Sequence, residues 1–137
     1  MTKLYETQAH VTGGRDGKVR SEDPPLELDL RMPKSLGGPG GGTNPEQLFA
    51  AGYGACFESA LRLVARTQGV KLQDGSGIRA TVSLSKDETS YALGVNLEGH
   101  LPGLERDVAE KLMAAAHQVC PYSRATRGNV DVQLSVA

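Results

Sequence analysis

TNPEQLFAAGYGACFESALRLVARTQG, residues 43–69, is the stretch on which the fold turns. Thr43-Asn44-Pro45-Glu46 combines capping side chains, a proline suited to the first helical position and an acid for the first turn. From there Leu48, Phe49, Gly52, Ala55, Cys56, Ala60 and Leu63 recur at helical spacing. The pattern runs to about Gln68, and Gly69 supplies the stop. Gly52 and Gly54 each cost about 1 kcal/mol relative to alanine inside a helix. That cost implies a backbone or a substrate packed closely there. The stretch predicts one long helix, buried on most sides.

On the N-terminal side, residues 3–12 alternate as a strand, and Gly13-Gly14-Arg15-Asp16-Gly17 reads as a tight turn into a return strand at 18–21. Leu26, Leu28 and Leu30 mark one face of a third strand after Pro24-Pro25. Residues 32–42 form a Gly/Pro loop. On the C-terminal side, residues 78–86 and 91–99 alternate and are joined by the polar turn 87–90, a hairpin. A second helix is predicted over 104–119, with Leu104, Val108, Leu112, Ala115 and Val119 on one stripe. It must end near Cys120, because the residue before Pro121 is pushed out of helical geometry. Gly128-Asn129 opens a last strand carrying Val130, Val132, Leu134 and Val136. The order βββ-α-ββ-α-β, rich in hairpins, predicts an α+β fold built on antiparallel sheet. Without a repeat or a linker, residues 1–137 are expected to form a single domain.

Composition removes several function classes. The net charge is −1 with the two signs interspersed, so the basic face of a nucleic-acid binder is missing. The opening MTKLYETQAH has no apolar stretch after its lysine, unlike a secretory signal. The near-apolar run 48–57 is half the length needed to span a bilayer. A soluble, cytoplasmic protein is expected. Five glycines crowd residues 37–42, but no Lys-Ser/Thr pair follows them, which argues against a phosphate loop.

In a reducing cytosol two cysteines make a transient redox pair a serious candidate and a permanent disulfide a poor one. Cys56 reads either as a small buried hydrophobe or as a reactive thiol. Cys120 closes a helix, where the negative end of the dipole disfavours a thiolate. Cys56 is therefore the better nucleophile of the two. An ordinary thiol is only a few per cent ionised at neutral pH, so it needs a cation. Arg15, on its glycine-flanked turn, is the candidate, against the plainer reading of a solvated turn charge. Glu46 has the equally plain reading of a first-turn acid.

Three segments, TNPEQLFAAGYGACFESA (43–60), VCPYSRATRGNVDV (119–132) and TGGRDG (12–17), resemble the organic hydroperoxide resistance proteins. These are a branch of the family named for the osmotically inducible protein C, and the likeness covers nearly the whole chain. CPYSRATRGN points to this branch rather than its sister; Gly54, where alanine is expected, is a minor departure. The resemblance implies an OsmC-like fold, an intertwined homodimer and a thiol-dependent peroxidase without metal, haem or flavin. It implies Cys56 as peroxidatic thiol, Cys120 as resolving thiol in a Cys56–Cys120 disulfide, Arg15 as thiolate activator and Glu46 as the carboxylate orienting Arg15. It further implies dihydrolipoyl groups of lipoylated proteins as reductant.

Phe49, Tyr53 and Leu63 are expected to hold the organic tail of the substrate. Ten residues along a helix rise about 15 Å, so Glu46 is too far from Cys56 for a short local contact, which favours a second subunit. Three rival readings stand beside this one. A Cys–His hydrolase would pair Cys56 with His100 or His117. A zinc site would need His117, both cysteines and either His10 or His100. A binding domain would hold the cysteines in a structural bridge.

Overall fold

The computed structural model describes residues 1–137. The chain forms two compact units, Met1–Leu48 and Phe49–Ala137.

In the first unit, β1 (Ala9–Thr12), β2 (Lys18–Ser21) and β3 (Leu26–Asp29) make an antiparallel meander in that order. The first strand is shorter than its alternation predicts. Its register starts at Ala9 opposite Ser21, where β2 ends, so residues 3–8 face no strand with which to pair. The Gly/Pro loop is closed at its base: Arg31 N–H donates to Thr43 C=O (2.9 Å) and Thr43 N–H to Asp29 C=O (2.9 Å).

Helix α1, Pro45–Thr67, starts where the sequence places it. Asn44 is the cap, its Oδ1 accepting from the Gln47 N–H at 2.8 Å, and Pro45 takes the first position.

The second unit is built on α1, the hairpin β4 (Gly77–Lys86) and β5 (Tyr91–His100), α2 (Arg106–Val119), α3 (Pro121–Thr126) and β6 (Asp131–Val136). Its sheet order is β4-β5-β6. Here two expectations need correction. The sheet is mixed, because β6 runs parallel to β5, Gly94 opposite Asp131 through Gly99 opposite Val136. The chain leaves β5 through two helices and returns at the same end, and a helical crossover of this kind delivers a parallel strand. The second correction is α3, which makes the order βββ-α-ββ-αα-β. Cys120 is extended as Pro121 requires (φ −62°, ψ 123°), but Pro121 then opens a new helix instead of a loop.

The core gathers Tyr53, Phe57, Leu61 and Val64 of α1, Val95 and Leu97 of β5, and Ala109, Leu112, Met113, Ala116 and Cys120. The buried stripe of α1 is thus one position round from the stripe read in the sequence. Phe49, Gly52, Cys56 and Leu63 lie on the flank, half-buried or exposed. Burial on most sides is not reached within the chain: α1 is long and apolar enough by length and composition to cross a membrane, yet only 28% of its most apolar window is buried.

Candidate active site

The side chains nominated by the sequence fall into two clusters, one in each unit. In Met1–Leu48, Arg15 sits in a single 3₁₀ turn between β1 and β2. Gly13 is left-handed at φ 74°, and a Cβ on Gly17 would run into the Thr12 carbonyl, so this turn demands glycine at both places. The turn presents the Arg15 guanidinium to Glu46 on the first turn of α1. Nη1 donates to Oε2 at 2.7 Å and Nη2 to Oε1 at 2.6 Å, a two-pronged pair. Arg15 beside Glu46 holds its carboxyl below the usual carboxylate range, against the opposing effect of burial.

In Phe49–Ala137 the two thiols meet. Cys56 at mid-α1 and Cys120 at the α2–α3 junction lie 3.5 Å apart, sulfur to sulfur, with Cys120 as donor. Cys120 is buried and Cys56 half-buried. Burial pushes the Cys56 thiol up. The Tyr122 backbone N–H works the other way, and the neighbouring Cys120 side chain again raises it, through its hydrogen bond first and its electrostatic influence second. These groups alone leave Cys56 disfavoured as a thiolate.

Cys56 opens on a groove of about 490 Å³ lined also by Ser59, Ala60, Leu63, Arg66, Val119 and Pro121. A groove of similar size, about 460 Å³, lies on the first sheet among His10, Lys18, Arg20 and Asp29, but it has no thiol. Of the three residues expected to hold an organic tail, only Leu63 lines the thiol groove. Tyr53 is fully buried, its hydroxyl 2.8 Å from Ser123 Oγ and 3.1 Å from Thr126 Oγ1. Phe49 packs edge-on against the Tyr53 ring, centroids 6.1 Å apart.

The glycines of α1 find different uses. A Cβ on Gly52 would sit 3.1 Å from the Tyr122 hydroxyl and 3.3 Å from its ring, so this glycine makes room for Tyr122. A Cβ on Gly54 would meet only the Ala80 methyl at 3.4 Å, an ordinary contact.

His117 spends its Nδ1 on Ser123 Oγ at 2.8 Å rather than on either sulfur. Burial, with the Arg127 charge adding to it, lowers its pKa. No group of three His, Cys, Asp or Glu converges as a metal cage would. Ser123 and Thr126, both buried, join the cluster without having been singled out by any catalytic pattern in the sequence. Their signal was present: two hydroxyl residues three apart behind a proline able to start a helix.

Residues 38–135 match the family described as OsmC-like protein. The organic hydroperoxide resistance protein OhrA of Bacillus subtilis (strain 168) is 51% identical over 141 residues, covering 98% of this chain and 96% of its own. The organic hydroperoxide resistance protein of Xanthomonas axonopodis pv. citri (strain 306) is 46% identical over 135 residues, 98% of this chain and 95% of its own. The crystal structure of an organic hydroperoxide resistance protein from Legionella pneumophila superposes with a TM-score of 0.93 at 55% identity, covering 99% of each chain. Likeness of this extent in both sequence and backbone places the chain in the OsmC-like family, among the organic hydroperoxide resistance proteins.

Proposed function

We propose that the protein is a thiol peroxidase that reduces organic hydroperoxides to alcohols in oxidative stress defence. The observation that carries this reading is the 3.5 Å approach of two free thiols separated by 64 positions, one of them opening on a groove. The Cys56 thiolate attacks the outer peroxide oxygen: an S–O bond forms, the O–O bond breaks, and the alkoxide leaves to take up a proton. Cys56 is oxidised by two electrons to a sulfenic acid. The Cys120 thiol then displaces the hydroxyl as water, closing a Cys56–Cys120 disulfide that spares Cys56 from further oxidation.

A thiol raised by burial cannot do this unaided, and we assign its activation to Arg15. The guanidinium favours the thiolate and offsets charge developing on the leaving oxygen, and Glu46 fixes its fork. Leu63 and its groove neighbours receive the organic tail. The apolar flank of α1 left open within the chain supports an intertwined homodimer as the working form. We place the enzyme in the cytoplasm without metal or organic cofactor, acting as one functional unit over residues 1–137, and assign its re-reduction to dihydrolipoyl groups of lipoylated proteins.

The test is intact-mass analysis with disulfide mapping after one equivalent of cumene hydroperoxide or hydrogen peroxide is added to reduced protein. A Cys56–Cys120 link that forms faster with the organic peroxide is expected. Equal speed with both peroxides would remove the organic preference, and an unchanged mass with both would overturn the reading.

A further inference from the structure

The resolving cysteine occupies an awkward place, an extended residue between two helices, and its position depends on how α3 is held. A six-residue helix is marginal by itself and needs anchors. Ser123 and Thr126 are the buried polar residues of the second unit, at 0% and 4% exposure, and their spacing of three puts them on one face of α3. The Tyr53 hydroxyl of α1 reaches both. His117, in the last turn of α2, reaches Ser123 from the other side. Arg127, just past α3, returns its Nη2–H to the His117 carbonyl at 2.6 Å.

The register of these contacts connects them to the thiols. Tyr53 lies three residues before Cys56, and Ser123 three residues after Cys120. The Tyr53–Ser123 and Cys56–Cys120 contacts are therefore neighbouring rungs between α1 and the chain around α3, about 4.5 Å apart along α1. One direction of donation satisfies all four of these hydrogen bonds. His117 Nδ1–H donates to Ser123 Oγ, Ser123 to the Tyr53 hydroxyl, Tyr53 to Thr126 Oγ1, and Thr126 to the Ser123 carbonyl at 3.1 Å. In the reverse direction the Thr126 hydroxyl proton has to serve two acceptors.

We propose that Tyr53, Ser123 and His117 are positioning residues for resolution: their hydrogen-bonded rung sets the register that brings Cys120 against Cys56. This rests on the peroxidase reading and adds to it that the two steps, attack on peroxide and closure of the disulfide, have separate determinants. Closure needs the sulfurs to approach by about 1.5 Å from the present contact to bonding distance, and a slipped rung lengthens that path. Attack on peroxide by Cys56 does not need the rung.

The test is a rapid-mixing experiment with cumene hydroperoxide that follows sulfenic acid, by a trapping dione, and disulfide, by mass, as separate phases. Tyr53→Phe and Ser123→Ala, each checked for a cooperative melt, should leave the first phase unchanged. Each should slow the second by about tenfold, the worth of one buried hydrogen bond, with more sulfinic acid formed per turnover. His117→Asn, which keeps an N–H near the Nδ1 position, should close the disulfide faster than His117→Leu. Parent-like closure in both Tyr53→Phe and Ser123→Ala, or equal slowing of both phases, would overturn the assignment. A parent protein that forms no sulfenic acid would instead remove the peroxidase reading.

Discussion

The Cys120 thiol is fully buried, yet it donates to the Cys56 sulfur across 3.5 Å. Cys56 is half-buried and opens on the groove, whereas Cys120 is sealed from solvent. This asymmetry suits a division in which Cys56 meets the oxidant and Cys120 waits behind it.

Cys120→Ser should therefore still consume the first equivalent of hydroperoxide. Without a second sulfur, the sulfenic acid has no internal escape and proceeds to sulfinic acid under excess peroxide. Peptide mass mapping reads this directly. A variant that kept cycling without sulfinic acid would show that Cys120 is not the resolving thiol.

Arg15→Ala should slow the first phase by about a hundredfold, the scale on which removal of one charge-stabilising donor is felt. Disulfide closure, once sulfenic acid has formed, should be little affected. Stopped-flow single-turnover kinetics at neutral pH separate the two.

The Arg15–Glu46 pair makes a pH prediction with a definite sign. Glu46 has a depressed pKa in the fold, so the stability it contributes is present above the unfolded value, about 4.3. It is lost as pH falls through the lowered folded value. Thermal melts of the parent and Glu46→Gln should differ by a constant amount near neutrality, and the gap should shrink below about pH 4.3. A gap that widened in acid would contradict the assigned cause.

Gly54→Ala should raise stability by about 1 kcal/mol, because helix propensity improves and the new methyl meets only Ala80 at ordinary distance. Urea denaturation of the reduced protein measures this.

Leu63→Asp should reduce the preference for cumene hydroperoxide over hydrogen peroxide by about tenfold, the worth of part of one apolar contact. The ratio of kcat/KM values for the two substrates is the readout. An unchanged ratio would place the organic tail elsewhere.

Much of the architecture was legible because the punctuation is local. Asn44-Pro45 begins α1, Pro121 ends α2, and alternation delimits β4 and β5 to within a residue. What could not be read depends on partners distant in the chain. The length of β1 is set by where β2 stops, not by its own alternation. The parallel sense of β6 follows from a crossover, which leaves no mark within the strand. On α1 both faces are apolar, so periodicity alone could not choose between the Tyr53–Phe57 stripe and the Phe49–Cys56 flank. The same ambiguity put Tyr53 in a substrate pocket, when its ring lies in the core and its hydroxyl is spent on α3. Both pairs of site residues, Arg15 with Glu46 and Cys56 with Cys120, are adjacent in space; their separations in sequence carry no hint of that.

The crossover that makes β6 parallel also bears on how the protein is born. Synthesis runs from the N-terminus, so Cys56 leaves the ribosome 64 residues before Cys120 and still earlier than the strand that completes its sheet. On the peroxidase reading, the chain throughout that interval carries a thiol without its guard. What keeps it safe is that the same folding that supplies the guard also builds its surroundings. An unfolded Cys56 is only a few per cent ionised at neutral pH and reacts as any exposed cysteine does. On that reading, activation by Arg15 and protection by Cys120 are acquired together, late in the life of the nascent chain.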